Sequence, residues 1–141
     1  MSTPVKDYMD KDFPTLDVGE SIIEAATILA NSDLGYIIIL EKGKPKGMVT
    51  EKDVIKKVLL LEKDPKTTNI GSIMSTPLIT IDPDDDMLMA SELMQKNLIK
   101  RIPVVKDEII YGVITAVNIA RGCSAIVDKA TKEVLRWSFP I

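Results

Sequence analysis

Apolar and polar positions along this chain follow one pattern written twice, 65 residues apart. Residues 5–56 lie on 70–121 without an insertion. Apolar residues coincide at Val5/Ile70, Leu16/Ile81, Ile22/Met87, Ile23/Leu88, Ile28/Leu93, Leu29/Met94, Ile39/Val104, Met48/Val113, Val49/Ile114 and Val54/Ile119. Identical pairs are Met9/Met74, Thr15/Thr80, Asp17/Asp82, Ala25/Ala90, Ile37/Ile102, Gly47/Gly112 and Thr50/Thr115. Two copies of one unit imply two copies of one site, or a scaffold that needs a twin to close its core.

Each copy predicts the same element order. It opens with a short helical turn, Val5–Met9 and Ile70–Met74, followed by an extended Pro-containing piece, Phe13–Leu16 and Pro77–Ile81. A helix follows over Ser21–Asn31, with Ile22, Ala25, Ala26, Ile28 and Leu29 on one broad face. Its partner covers Met87–Asn97 and carries Leu88, Ser91, Leu93 and Met94. Tyr36–Leu40 reads as a strand apolar on both faces and hence buried. The turn Lys42-Gly43-Lys44 leads to a second strand through Gly47-Met48-Val49-Thr50. In the second copy, Ile102–Val105 and Tyr111–Thr115 take these places. Pro103 has no N–H to give a ladder, so it belongs at the start or edge of its strand. A closing helix runs from Glu51 to about Leu61 and, in the second copy, from Ala116 onward.

The expected organisation is repeat 1 over 1–61, a linker over 62–69, repeat 2 over 70–121 and a helical tail over 122–141. One copy is too short to bury its aliphatic face well alone, and pairing with its twin solves that. The linker is charged and broken by Pro65, as a surface connection is. In the tail, Ile126, Ala130, Val134 and Trp137 form one helical stripe, expected to pack on the module or on a second subunit. Arg121-Gly122 is expected to interrupt or kink the join. Cys123 reads as a small buried residue.

Composition narrows the function. Hydrophobic residues make up 45% of the chain and aromatic ones 4%, so the core is aliphatic. Eighteen basic and 21 acidic residues are interspersed, with a net charge of −3, which argues against a nucleic-acid protein. No run approaches the roughly 18 apolar residues of a membrane span. No apolar stretch marks a signal peptide, and a single cysteine forms no internal disulfide, so a cytoplasmic location is expected. With no histidine in the chain, Ser-His-Asp and Cys-His catalysis and His-based metal sites are excluded. No base, nucleophile or metal cluster stands out, and no enzyme is expected. The acidic run Asp82-Pro83-Asp84-Asp85-Asp86 lacks the glycine and closing Glu of a calcium loop. It precedes a helix, where acids complement the dipole.

Thr50-Glu51-Lys52-Asp53 reads first as a capping box, with Thr at the N-cap and an acid three residues on. The same helix start suits a ligand. Its free N–H groups and dipole welcome a phosphate. A carboxylate one turn in accepts both hydroxyls of a ribose. The second copy reads Thr115-Ala116-Val117-Asn118, with a neutral and weaker acceptor in place of the acid.

The stretches Gly47-Met48-Val49-Thr50-Glu51-Lys52-Asp53 and Gly112-Val113-Ile114-Thr115-Ala116-Val117-Asn118 resemble the closing motif of the cystathionine-β-synthase (CBS) domain. Arg101-Ile102-Pro103-Val104-Val105 is similar to that family's strand entry. Val5-Lys6-Asp7-Tyr8-Met9 and Ile70-Gly71-Ser72-Ile73-Met74 are similar to its opening turn. The resemblance covers residues 5–121 and implies a stand-alone tandem pair, or Bateman module. Its expected fold is α/β, with two small sheets packed face to face and flanking helices.

The resemblance implies a regulatory module, not an enzyme, that binds adenosine-containing ligands in clefts between the repeats. AMP, ADP, ATP, S-adenosylmethionine and sometimes NAD are the family's ligands, held as regulators rather than catalytic cofactors. A homodimer and a separate effector protein are the implied partners; no membrane or nucleic acid is. Thr15-Leu16 and Thr80-Ile81 would line the adenine pocket, though plain core packing of Leu16 and Ile81 reads the same. Tyr36 is placed to stack on adenine or to pack at the strand edge, and Ile37 follows it. Lys100 and Arg101 would face ligand phosphates or form an ordinary exposed basic pair, with Ile102 and Pro103 beside them. Thr50 with Asp53 and Thr115 with Asn118 complete the two sites. These are expected to be unequal, with the Asn118 site weaker, altered or empty. The alternative from another class is an interaction scaffold with vestigial clefts.

Overall fold

The computed structural model describes residues 3–124. The fold is mixed α/β with two small sheets. In the first copy, β1 (Thr15–Asp17) precedes α1 (Ile22–Ala30), β2 (Tyr36–Glu41), β3 (Lys44–Thr50) and α2 (Glu51–Val54). In the second, α3 (Met87–Asn97), β4 (Arg101–Lys106), β5 (Ile109–Thr115) and α4 (Ala116–Ser124) follow. One-turn 3-10 helices open both copies, at Val5–Asp7 and Ile70–Ser72.

Local chemistry sets the helix boundaries. The Ser21 side chain caps α1 by accepting from the Glu24 N–H at 3.3 Å. Asp86 caps α3 by accepting from the Leu88 N–H at 2.8 Å. Both helices bury the same face: Ile22, Ala25 and Leu29 in α1, Met87, Ala90 and Met94 in α3. Leu88, expected on the inner face, is instead exposed, as is its counterpart Ile23. The inward stripe follows the i, i+3, i+7 positions shared by the copies, and Leu88 lies one residue off it.

In the first sheet β1 runs parallel to β2, and β2 antiparallel to β3. Among the described residues the second sheet holds β4 and β5 alone, with Ile81 making only an isolated parallel bridge to Val104. Pro103 accounts for the difference. At the matching position Ile38 donates its N–H to the Pro14 carbonyl at 2.9 Å, and proline has no N–H to give. The remaining bonds, Ile81 N–H to Pro103 O at 3.1 Å and Val105 N–H to Ile81 O at 2.9 Å, hold one bridge. The hairpin turns also differ. Lys42 and Gly43 take positive φ in one, and Asp107 and Glu108, without glycine, do so in the other.

The chain resolves into two compact units, and their boundaries differ from those of the repeats. The first unit holds Asp12–Ile79; the second joins the residues through Lys11 to the chain from Thr80 onward. The opening turns have been exchanged. Ile70 N–H donates to Glu20 O at 2.7 Å and Gly71 N–H to Val18 O at 3.1 Å. Their counterparts, Val5 and Lys6, donate to Asp85 O at 2.8 Å and Pro83 O at 3.2 Å. The first N–H groups of α1 and α3, which lack partners within a helix, donate to Thr68 O at 3.1 Å and Thr3 O at 2.9 Å. Ile70 and Val5 then sit fully buried in the two cores. Burying a side chain of this kind is worth about 1.5–3 kcal/mol.

The exchange explains two of the identical pairs. A Cβ on Gly47 would lie 2.7 Å from Met74 Sδ and 2.8 Å from the Ser75 carbonyl. A Cβ on Gly112 would lie 2.6 Å from both Met9 Sδ and the Asp10 carbonyl. Glycine is needed at both places because a backbone segment lies directly against the strand.

Two helix expectations are corrected. The closing helix of the first copy is α-helical only to Val54 and continues as a π-helical stretch, Ile55–Leu59, with Leu60 N–H bonded to Ile55 O at 2.9 Å. The expected break at Arg121-Gly122 is absent, and α4 runs through both residues to Ser124. Gly122 serves close approach instead, since a Cβ there would meet Met87 Cε at 2.5 Å and the Tyr8 ring at 3.1 Å. The Cys123 side chain and the Ile126–Trp137 stripe lie outside the described residues.

Candidate functional site

The expected site residues divide into one set per unit. In the first, the register β2–β3 sets Tyr36 opposite Thr50 and Ile37 opposite Val49, and Asp53 follows in α2. Thr15 and Leu16 pair with Ile38 and Ile39 on the neighbouring strand. In the second, Arg101 stands opposite Thr115 and Ile102 opposite Ile114, with Asn118 in α4. Ile81 bridges to Val104, while Thr80 and Lys100 are exposed. The sheets therefore bring Tyr36, Thr50 and Asp53 to one strand end, and Arg101, Thr115 and Asn118 to the equivalent one. Ile37 and Ile102 belong to the cores, both fully buried. Tyr36 is buried too, at 1% exposure. Pro103 is buried and Arg101 half-buried.

Both helix starts form the capping arrangement, with different chemistry around it. In the first unit Asp53 Oδ2 accepts from the Thr50 N–H at 2.9 Å and the Thr50 hydroxyl at 3.2 Å. Its other oxygen lies 3.2 Å from Lys57 Nζ, which also donates to the Ile73 carbonyl at 2.9 Å. An acid and a cation thus share this helix start.

In the second unit Asn118 Oδ1 accepts from the Thr115 N–H at 2.9 Å, and the Asn118 N–H donates to Thr115 Oγ1 at 3.0 Å. Asn118 Nδ2 then donates to Asp10 Oδ1 at 3.2 Å. Asn118 is only 7% exposed, so this amide is held on both sides inside the fold. Asp10 and Lys57, which contact Asn118 and Asp53, are not among the residues expected from the sequence. The signal for Asp10 is present there: where Asp53 becomes Asn118, Ser75 stands against Asp10 at the same offset.

A separate groove of about 550 Å³ opens on the second unit, lined by Lys6, Lys11, Pro83, Asp84, Lys106 and Tyr111 among others. Asp84 accepts from Lys6 Nζ at 2.7 Å and lies 4.0 Å from Lys106 Nζ. The hydrogen bond and charge of Lys6 hold the Asp84 carboxyl below its ordinary pKa, and Asp84 raises that of Lys6 in return. Mixed charge leaves this groove without a dominant sign. No helix among the described residues is long and apolar enough to cross a membrane.

A repeated α/β unit with a threonine at the helix start in each copy defines a tandem pair of small α/β domains. The CBS domain model matches residues 5–60 and 70–124, and the chain belongs to the CBS domain family as a tandem pair. It is 30% identical over 116 residues to the CBS domain-containing protein YhcV of Bacillus subtilis, covering 82% of each chain. An uncharacterized protein of Methanocaldococcus jannaschii is 32% identical over 94% of this chain, which spans 34% of that relative's length. The CBS domain pair of protein MJ0100 has been solved in complex with 5′-methylthioadenosine and S-adenosyl-L-methionine. This chain superposes on it with a TM-score of 0.78 at 31% identity, covering 89% of this chain and 98% of that one.

Proposed function

We propose that this chain is a regulatory ligand-sensing module that binds an adenosine-containing ligand and passes the change to a separate effector protein. The observation that carries the reading is the pair of capped helix starts, one per unit, each with a threonine and polar side chains at the same strand end. The similarity to a CBS pair solved with 5′-methylthioadenosine and S-adenosylmethionine supports that ligand class. Thr50 and Thr115 are assigned to the ligand's polar end and Asp53 to sugar hydroxyls. Thr15, Leu16, Thr80 and Ile81 are assigned to adenine, with Tyr36, Ile37, Ile102 and Pro103 in support, and Lys100 and Arg101 to phosphate where the ligand has one. Asn118 belongs to the second site.

A second copy of the chain is the expected protein partner. Ile55, Leu59, Leu60 and Leu61 are 49%, 68%, 68% and 60% exposed along one stretch, an apolar surface suited to a homodimer. That surface also favours the alternative of a dimerisation scaffold whose sites bind nothing.

A thermal-shift panel of 5′-methylthioadenosine, S-adenosylmethionine, AMP, ADP, ATP and NAD separates the readings. A ligand at 100 times its Kd stabilises the folded state by about 2.7 kcal/mol, a rise of roughly 5–10 °C in midpoint. Unchanged midpoints at millimolar concentrations of all six would leave the scaffold.

A further inference from the structure

The acid at the second helix start has been relocated rather than lost. The residues 65 positions after Asp53 and Asp10 are Asn118 and Ser75, so both carboxylates belong to the first copy in sequence but fall one in each folded unit. Asp10 and Ser75 hold the same backbone place. Asp10 and Val113 exchange N–H to carbonyl bonds of 2.9 Å in both directions. Ser75 and Met48 do the same at 2.9 and 3.2 Å. Each unit therefore carries one carboxylate at this point, from the helix in the first and from the opening segment in the second.

Hydrogen bonding fits the exchange. The Asn118 carbonyl oxygen already accepts from Thr115, and its amide donates to Asp10 Oδ1 at 3.2 Å. The Asn118 oxygen keeps one acceptor position beyond the Thr115 bond, too few for both hydroxyls of a diol. An ionised carboxylate offers about four acceptor positions, so Asp10 retains capacity after this bond. The cation has gone as well: Lys57, which pairs with Asp53, is matched by Gly122.

We infer that Asp10 is the carboxylate that accepts the sugar hydroxyls of a ligand at the second copy's site, with Asn118 as the residue that positions it. This rests on the adenosine-ligand reading above. It makes the two sites alike in ligand class and different in the element that supplies the acid.

Calorimetric titration of the full chain with 5′-methylthioadenosine and its 2′,3′-dideoxy analogue tests the assignment. A hydrogen bond from a hydroxyl to a charged acceptor predicts about tenfold or greater preference for the ribo ligand. Asp10→Asn should weaken ribo binding at one site by about that factor, leave dideoxy binding there unchanged and so erase the preference. Asp53→Asn should do the same at the other site, and Asn118→Ala should erode the preference at the Asp10 site. If the wild type fills one site only, its preference must vanish in Asp10→Asn; vanishing only in Asp53→Asn overturns the inference. Unchanged affinity and preference in Asp10→Asn, or equal loss of both ligands, also overturns it while the ligand reading stands. No binding by the wild type overturns both.

Discussion

The two units share a scaffold and differ in its polar fittings. Gly47 against Met74 and Ser75 matches Gly112 against Met9 and Asp10, contact for contact. The fully buried Ile37 and Ile102 match as well. At the helix starts, however, Asp53 with Lys57 stands against Asn118 with Asp10. The caps of the first helices differ too, Ser21 against Asp86. Positions that meet backbone or core admit little variation. Those bonded through side-chain oxygens and nitrogens have drifted, provided each group keeps a partner.

The largest effect should come from the shared core. Ile37→Ala and Ile102→Ala should each cost about 2–5 kcal/mol in urea unfolding, because each leaves a cavity in a closed cluster. A near-neutral result at one position would show that the two cores are not equivalent.

Next come the glycines. Gly47→Ala and Gly112→Ala should each lose about 1–3 kcal/mol, since the new methyl meets a carbonyl oxygen that cannot step aside cheaply. If one is tolerated and the other is not, the docking of the opening segments differs between the units.

The helix starts should separate them. Asp53→Ala removes a cap whose side chain is 15% exposed and should cost about 1 kcal/mol. Asn118→Ala removes a buried amide, strands the part-buried Thr115 N–H and releases Asp10, for about 2 kcal/mol. Chemical denaturation midpoints of the two variants, compared at equal slope, give the ordering; the reverse order would contradict it.

The smallest effect is a pH dependence confined to one unit. Bonds from the N–H groups of Thr3 and Leu88 hold the Asp86 carboxyl below its ordinary pKa. A lowered folded-state pKa gives stability that is complete above the unfolded value, about pH 4, and fades as the pH falls through the folded one. Ser21 at the equivalent cap does not titrate there. Amide exchange should therefore show α3 losing protection before α1 on acidification, and Asp86→Ser should remove that difference. Equal loss in the wild type would count against it.

The sequence alone determined the helices and hairpins of both copies, though not the π-helical end of α2 or the reduction of the second copy's short strand to a single bridge. Expected Met87–Asn97 is the observed α3, and Ser21 and Asn31 flank α1 as its caps. Tyr36–Leu40 is a buried strand extended by one residue to Glu41. These features are legible because caps, turns and burial periodicity act over a few residues, and the repeat shows each of them twice. Only the tertiary structure decided which opening turn docks with which copy, why Gly122 continues a helix instead of breaking it, and that Asn118 holds Asp10, 108 positions away. Such pairings depend on where a long connection delivers its end. A chain with two equivalent acceptor surfaces offers no local pattern that chooses between them; the choice is made by tertiary packing.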